Sequence, residues 1–428
     1  MAARPPALQL FLGVLALLPV FASAASFDAA AKSTNESGLD LYRQIVSGDD
    51  NICISPFSVS CALAMTVEGA DGQTRMEMCR VLHLDSNTEP GPSFRLLQQS
   101  IAEISAQTAK IAEASKNGGG PSEPITIAIA NRLFPQSGYE FRKDFFARVK
   151  ENYGAPPEPL DFKRNGAAAT NRINDWVAKE TRDRIRDLIP QPLDSTTRLV
   201  LANAIYLKAP WWHEFPVSET KPEPFHIKGN DPVDVPTMLG RKSYGYAKNE
   251  GFTAVSIPYS GGDLQFVIFL PDESPSRTGM TGLKSLEQKL TGSVLASCAK
   301  LKPTELILHL PRFKFEPPTM RLSEQLKALG MKTAFDIPSG SANFDRMARR
   351  KPDDYLAISD VFHKTFIAVD EKGTEAAAAT AVAMRTMSAL VKPAVLPIEV
   401  KVDRPFLYAI QHVPSGACLF IGRVTDPR

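Results

Sequence analysis

The sequence predicts an α+β fold with extensive sheet, formed as one large domain. Helix-like segments fill the first half of the chain and strand-like segments the second, the order expected when helices and sheet segregate instead of alternating. Apolar segments recur along all 428 residues, of which 43% are hydrophobic and 22% charged. No Pro/Ser/Gly stretch is long enough to divide the chain, although its length alone suggests two or three domains.

The chain opens MAARPPALQLFLGVLALLPVFASAASF. Arg4 gives a positive start, Leu8 to Phe21 an apolar run, and Ala22-Ser23-Ala24 a small-residue cleavage pattern. Residues 1–24 therefore read as a secretory signal peptide, and residues 25–428 as the single domain. The apolar run is short for a membrane span and is interrupted by Gln9 and Pro19, and nothing later is apolar enough to cross a bilayer. A secreted protein without a membrane anchor is expected.

Gly38 to Ser47 reads as an amphipathic helix with Leu39, Leu41, Tyr42 and Ile45 on one side. In NICISPFSVSCALAM (51–65) a short buried strand comes first. Ser55 then serves as a helix cap and Pro56 as its first-turn residue. That helix is apolar nearly all round, so it belongs in the centre. Ala70-Asp71-Gly72 ends it, and Thr74 begins another. A more polar helix, Phe94 to Ala114, leads into the glycine-rich loop SKNGGGPSEP (115–124). Strand-like ITIAIANRLF follows at once. Asn171 to Ile189 reads as an amphipathic helix built on Ile173, Trp176, Val177, Ile185 and Leu188. From residue 198 strands dominate: RLVLANAIYLKAPW, FTAVSIPY, LQFVIFLP, ELILHLPRFKF, VFHKTFIAV, PIEVKV, PFLYAIQHV and ACLFIGRV.

Composition excludes several function classes. A net charge of +2 gives no bulk electrostatic basis for nucleic-acid binding. The densest basic cluster, RMARRK (346–351), reads as a solvated loop. Five cysteines are too few for a disulfide scaffold, and an odd number leaves at least one free or paired between chains. One glycosylation sequon stands near the start, at Asn35-Glu36-Ser37. There is no G-x-S-x-G elbow, phosphate-binding loop, H-E-x-x-H or C-x-x-C, and the six histidines are scattered. No catalytic residue, metal site or cofactor is expected.

DEKGTEAAAATAV (370–382) is harder to place. Its four alanines favour helix, yet no apolar stripe accompanies them. With VKVDRPFLYAI (400–410), NICISPFSVSCALAM, INDWVAKETRDRI (173–185) and LANAIYLKAPW (201–211), it makes the chain resemble the serpins, the serine-protease-inhibitor family, from about residue 38 to Pro427. The resemblance implies three β-sheets, eight or nine helices, and an exposed reactive loop at about 371–397 that inserts into the main sheet as an extra strand. It places a hinge at Glu371, Gly373, Thr374, Glu375, Ala376, Ala377, Ala378, Ala379 and Thr380. A polar shutter falls at Ser55, Ser58, Asn203 and His363. A breach, where insertion starts, falls at Trp211, Arg312 and Glu371.

The residues agree with such a role. In a strand one face would carry Thr374, Ala376, Ala378, Thr380 and Val382, all small or β-branched. The only charge between Gly373 and Val382 is Glu375, on the other face, where it need not be buried unpaired. Gly373 is read as a pivot. Counting as inhibitory members do, fourteen residues beyond Gly373 (373 to 387) gives the reactive bond Met387-Ser388. Arg385-Thr386 is the alternative, for trypsin-like enzymes. The implied action is suicide inhibition of serine proteases, elastase-, chymotrypsin- or cathepsin G-like, as a covalent complex. The rival is a non-inhibitory carrier, chaperone or binding member. A monomer is expected. The helix before the 115–124 loop carries only Arg95 and Lys110, which weakens glycosaminoglycan binding. The family's Lys-Gly-x-Trp stands here as Lys208-Ala209-Pro210-Trp211, a departure expected not to reach the hinge.

Overall fold

A computed structural model describes residues 26–115, 123–227, 231–272, 280–375 and 396–428. The predicted signal segment, Ala376 to Thr380, Arg385, Thr386, Met387 and Ser388 lie outside the described residues.

The helices are α1 (Asp28–Ile45), α2 (Pro56–Val67), α3 (Gly72–Val81), α4 (Gly91–Ser115), α5 (Lys143–Tyr153), α6 (Phe162–Glu180), α7 (Met280–Lys289), α8 (Gly292–Ser297) and α9 (Ser323–Ala328). The first eight strands are β1 (Ile52–Ile54), β2 (Thr126–Pro135), β3 (Leu199–Pro210), β4 (Lys221–Phe225), β5 (Val233–Asn249), β6 (Phe252–Pro258), β7 (Leu264–Pro271) and β8 (Lys302–Pro311). The other eight are β9 (Phe313–Phe315), β10 (Met320–Arg321), β11 (Asp360–Thr365), β12 (Ile367–Asp370), β13 (Gly373–Thr374), β14 (Ile398–Lys401), β15 (Phe406–His412) and β16 (Ala417–Val424).

These strands form two hydrogen-bonded networks. The larger runs β1-β16-β15-β7-β6-β5-β8-β14, with β4 on β5. The 17-residue β5 pairs with β6 at its far end and with β4 at its near end, so it joins two sheets into one network. The smaller network runs β10-β11-β3-β13-β12-β9, with β2 on β3. The α+β class and the helices crowding the first half are as the sequence predicts.

Central α2 is buried along its whole length, and Ser55 caps it by accepting from Ser58 N at 3.2 Å. Two helices depart most from the sequence reading. Helix α1 begins ten residues earlier than Gly38, at Asp28, because the polar-looking DAAAKSTNES is buried through small side chains against the core. The expected helix over 171–189 instead spans Phe162–Glu180. Residues 181–189 keep Ile185 and Leu188 buried in an irregular path, with positive φ at Arg182, Asp183 and Asp187. Strand β5 and helix α5 were not anticipated.

The expected glycan site at Asn35 needs correction. Its side chain is 3% exposed; Nδ2 donates to Gly416 O at 2.9 Å and Oδ1 accepts from Cys418 N at 2.8 Å. Folded in this way, the amide ties α1 to β16 and is closed to a sugar. All five cysteines are free and buried, so none of the bridges the sequence left open is formed. The 346–351 cluster is largely used internally. Arg346 meets Glu89 at 2.6 Å, and Arg350 donates to Gly340 O and Ala342 O while lying over the Tyr355 ring.

Asn35→Ala is expected to lower unfolding free energy by about 1–3 kcal/mol, the cost of stranding the Cys418 N–H and removing one of the two donors to Gly416 O. A shift in the denaturant midpoint measures it; an unchanged midpoint would return Asn35 to the surface.

Candidate functional site

Strands β3 and β11 run parallel and pair over six residues, from Val200↔Asp360 to Ile205↔Thr365. Beyond Thr365 the two diverge. There the chain completes β12, turns at Glu371-Lys372, and returns as β13 between β12 and β3, antiparallel to both. Thr374 faces Ala209 on one side and Val369 on the other. A parallel seam is thus capped at its upper end by the first two residues of an antiparallel strand.

Sequence reasoning left the turn unexplained; the structure shows what fixes it. Asp370 Oδ1 accepts from Lys372 N at 2.9 Å and Gly373 N at 3.2 Å. Trp211 is fully buried, stacks on Tyr259 at 4.6 Å, and donates from Nε1 to Asp370 O at 2.9 Å. Its backbone N donates to Lys372 O, and Phe215 N donates to Glu371 O. Glu371 also accepts from the Thr220 hydroxyl at 2.7 Å and lies 3.6 Å from Arg312 Nε. Trp211, Arg312 and Glu371 therefore stand together where the sequence placed the breach.

Of the residues in the expected alternation, Thr374 and Glu375 are described. Thr374 points inward, 2% exposed, with its hydroxyl 2.5 Å from that of Tyr259. Glu375 meets Arg184 at 3.0 Å, with its side chain only 12% exposed. Gly373 is needed for a reason other than a pivot: a Cβ there would lie 2.1 Å from Ala209 O. This corrects the expectation that Lys208-Ala209-Pro210-Trp211 stays clear of the hinge. Ala209 and Pro210 are the direct partners of Thr374 and Gly373, and Pro210 brings no N–H to that ladder.

Ser55, Ser58, Asn203 and His363 are all fully buried and form one network under the seam. Ser55 N donates to His363 Nε2 at 3.1 Å, so the ring carries its proton on Nδ1 and donates it to Asn203 Oδ1. Asn203 Nδ2 donates to Ser58 Oγ at 2.6 Å, and Ser55 Oγ donates to Leu419 O at 2.6 Å. Asn131 of β2 was missed. It accepts from Ser58 Oγ at 2.8 Å and Asn203 Nδ2 at 2.6 Å. Its cue was a lone Asn on the face of an otherwise apolar strand. Since Asn203 and His363 are register partners, their mutual bond crosses the seam itself.

No group of three or more His, Cys, Asp or Glu among the described residues is placed to hold a metal ion. Arg95, one of two cations weighed for glycosaminoglycan binding, is paired with Glu151 at 2.8 Å.

The sheet thus combines a central parallel seam, a buried polar network beneath it and the two-residue strand β13 at its top. The chain belongs to the serpin family, described as serine protease inhibitors, whose family model matches residues 32–427. It is 36% identical to a leukocyte elastase inhibitor of Sus scrofa over 399 residues, 91% of this chain and 97% of that one. It is also 36% identical to a serpin-like protein of Thermococcus kodakarensis, covering 92% and 85% of the two chains. Among solved structures it is similar to Serpin48, described as a highly specific serpin in the insect Tenebrio molitor, with a TM-score of 0.73, 29% identity, and 94% and 98% coverage.

Burial pushes the His363 imidazole down to about 3 against an ordinary 6.5, only partly offset by its bond to Asn203. The unfolded chain therefore binds a proton that the closed seam refuses between those values. Stability is full above about pH 6.5 and falls as pH drops toward 3, by up to about 1.4 kcal/mol per pH unit from this group. His412, buried and held down to about 4, adds a similar slope. His363→Gln is accordingly expected to flatten, without abolishing, the fall in unfolding midpoint between pH 6.5 and 4. Identical slopes in the two proteins would remove His363 from the pH response.

Proposed function

We propose that the chain is a secreted suicide inhibitor of serine proteases that traps its target as a covalent acyl complex after cleavage at Met387-Ser388. The observation carrying this reading is β13. Thr374 lies opposite Ala209 and Val369. Continuing that register by six residues (374 + 6, 209 − 6, 369 − 6) sets Thr380 between Asn203 and His363. An inserted strand would thus bring a small hydroxyl side chain to the point where it parts their bond, offering both groups a new partner.

The energetics favour insertion once the loop is cut. One parallel pairing is exchanged for two antiparallel ones, which are slightly more stable per residue. Small inward side chains from Thr374 to Val382 enter without burying a charge. A protease attacking the Met387 carbonyl would be acylated. Residues 374–387, at about 3.3 Å each, would then carry it on the order of 45 Å along the sheet. Methionine suits an apolar primary pocket, and the relatives named leukocyte elastase inhibitor support an elastase-like target. Secretion rests on residues 1–24. The alternating small residues speak against a non-inhibitory carrier.

The test mixes mature protein with elastase, chymotrypsin, cathepsin G and trypsin, followed by denaturing gels and mass spectrometry. An SDS-stable complex with a released peptide beginning at Ser388 is expected. A peptide beginning at Thr386 would move the bond to Arg385. Cleavage without any complex would end the inhibitory reading. Thr374→Arg, which forces a cation against Tyr259, is expected to turn most of the inhibitor into substrate, read as a several-fold rise in the inhibitor consumed per enzyme trapped. Oxidation of Met387 to the sulfoxide is expected to slow inhibition of elastase; an unchanged rate after verified oxidation would exclude an apolar contact there.

A further inference from the structure

Glu375 is the first residue past the begun strand β13. Its N–H still donates to Ala368 O at 2.7 Å, continuing the register, but its φ is +47°. That left-handed conformation is unfavourable for a residue with a Cβ, and an inserted strand would have to convert it to extended. The side chain is held in place. Arg184 Nε lies 3.0 Å from one carboxylate oxygen, while Oε2 is buried without a hydrogen-bond partner. Burial raises the carboxyl, and Arg184, Lys208 and Lys314 pull it back down.

The three cations are not equivalent. Lys208 lies on β3, directly across from residue 375 in the begun register (374 + 1, 209 − 1), and Lys314 lies on β9. Both belong to the sheet and would keep their places if a strand entered. Arg184 does not. It belongs to the irregular segment after α6, whose Ile185, Leu188 and Ile189 pack with Ala202, Ala204 and Phe362, on the outer face of β3 and β11. Lys364 Nζ of β11 also donates to Arg186 O of this segment at 3.2 Å. The segment lies over the seam, and a strand passing beneath it requires it to lift.

We infer that the Arg184–Glu375 ion pair is a brake on loop insertion, tying the elbow of the hinge to the segment that covers the seam. Arg184 is a positioning residue: it touches neither protease nor scissile bond, and acts by holding Glu375 in its left-handed, non-strand conformation. The pair exists before insertion and is lost when the cover lifts, so breaking it lowers the barrier without altering the closed seam. This deepens the inhibitory reading, since the brake preserves the form that meets the protease.

The test follows uncleaved protein at 37 °C, measuring conversion to the inserted form as a rise in thermal unfolding midpoint and as loop resistance to proteolysis. Arg184→Gln is expected to speed conversion about two- to five-fold, the range for a half-exposed ion pair. Its initial unfolding midpoint should fall only slightly, since the same modest ion pair is also lost on unfolding. In a Glu375→Gln background the same substitution should change nothing, and Arg184→Lys should keep most of the braking. An Arg184→Gln rate equal to or below wild type would overturn the inference, as would equal acceleration in both backgrounds or no conversion by any variant. Failure of the inhibitory reading shows separately: wild type would form no covalent complex with any protease, while Arg184→Gln still converted faster.

Discussion

Strands β3 and β11 run the same way through the middle of the seven-stranded sheet, and the hydrogen bond from His363 Nδ1 to Asn203 Oδ1 fastens them from beneath. The hinge, the breach and the cover are all arranged around that junction. Each side chain in the network is buried, so each must keep a hydrogen-bond partner. His363 is held neutral by burial, which lets one ring nitrogen donate across the seam while the other accepts from Ser55 N. The seam is closed by satisfied polar groups instead of by interlocked apolar ones.

The upper end of the sheet supplies the complementary condition. Trp211, packed between Tyr259, Phe215 and Phe266, forms a rigid post against which the 370–372 turn is bound by backbone hydrogen bonds. The chain is thereby aimed back between β12 and β3. Small residues do the rest. Gly373 passes the Ala209 carbonyl where any side chain would collide, and Thr374 fills the space beside Tyr259. Glu375 then leaves the extended conformation, with a φ of +47°. Begun strand, fixed turn and charged elbow are three consequences of the same crowding between β12 and β3.

The features legible in the sequence were those with short-range causes. Ser55 and Pro56 announce the start of α2 because capping and the proline ring act within one turn. The alternation after Gly373 foretells which side chains turn inward, because strand geometry has a period of two. The paths of α1 and of residues 181–189 were not legible. DAAAKSTNES looks like a polar lead-in, and its burial depends on the fit of small side chains against distant elements. Ile185 and Leu188 continue a helical period, yet docking on the β3–β11 face pulls their segment out of helix. Asn35 shows the same limit: its sequon is a local pattern, while its bonds to Gly416 and Cys418 span most of the chain.

By itself the sequence determined the class of fold, the central helix, most of the strands and four residues of the buried polar network, since periodicity, capping and family motifs are written in consecutive residues. Tertiary structure alone decided that Asn131 completes the gate, that Ala209 and Pro210 are the hinge's own partners, and that Arg184 reaches Glu375. Those contacts join positions from 72 to 191 residues apart (131 to 203, 184 to 375). No local propensity encodes such a pairing; it exists only after the sheet has fixed the register and brought the partners within bonding distance.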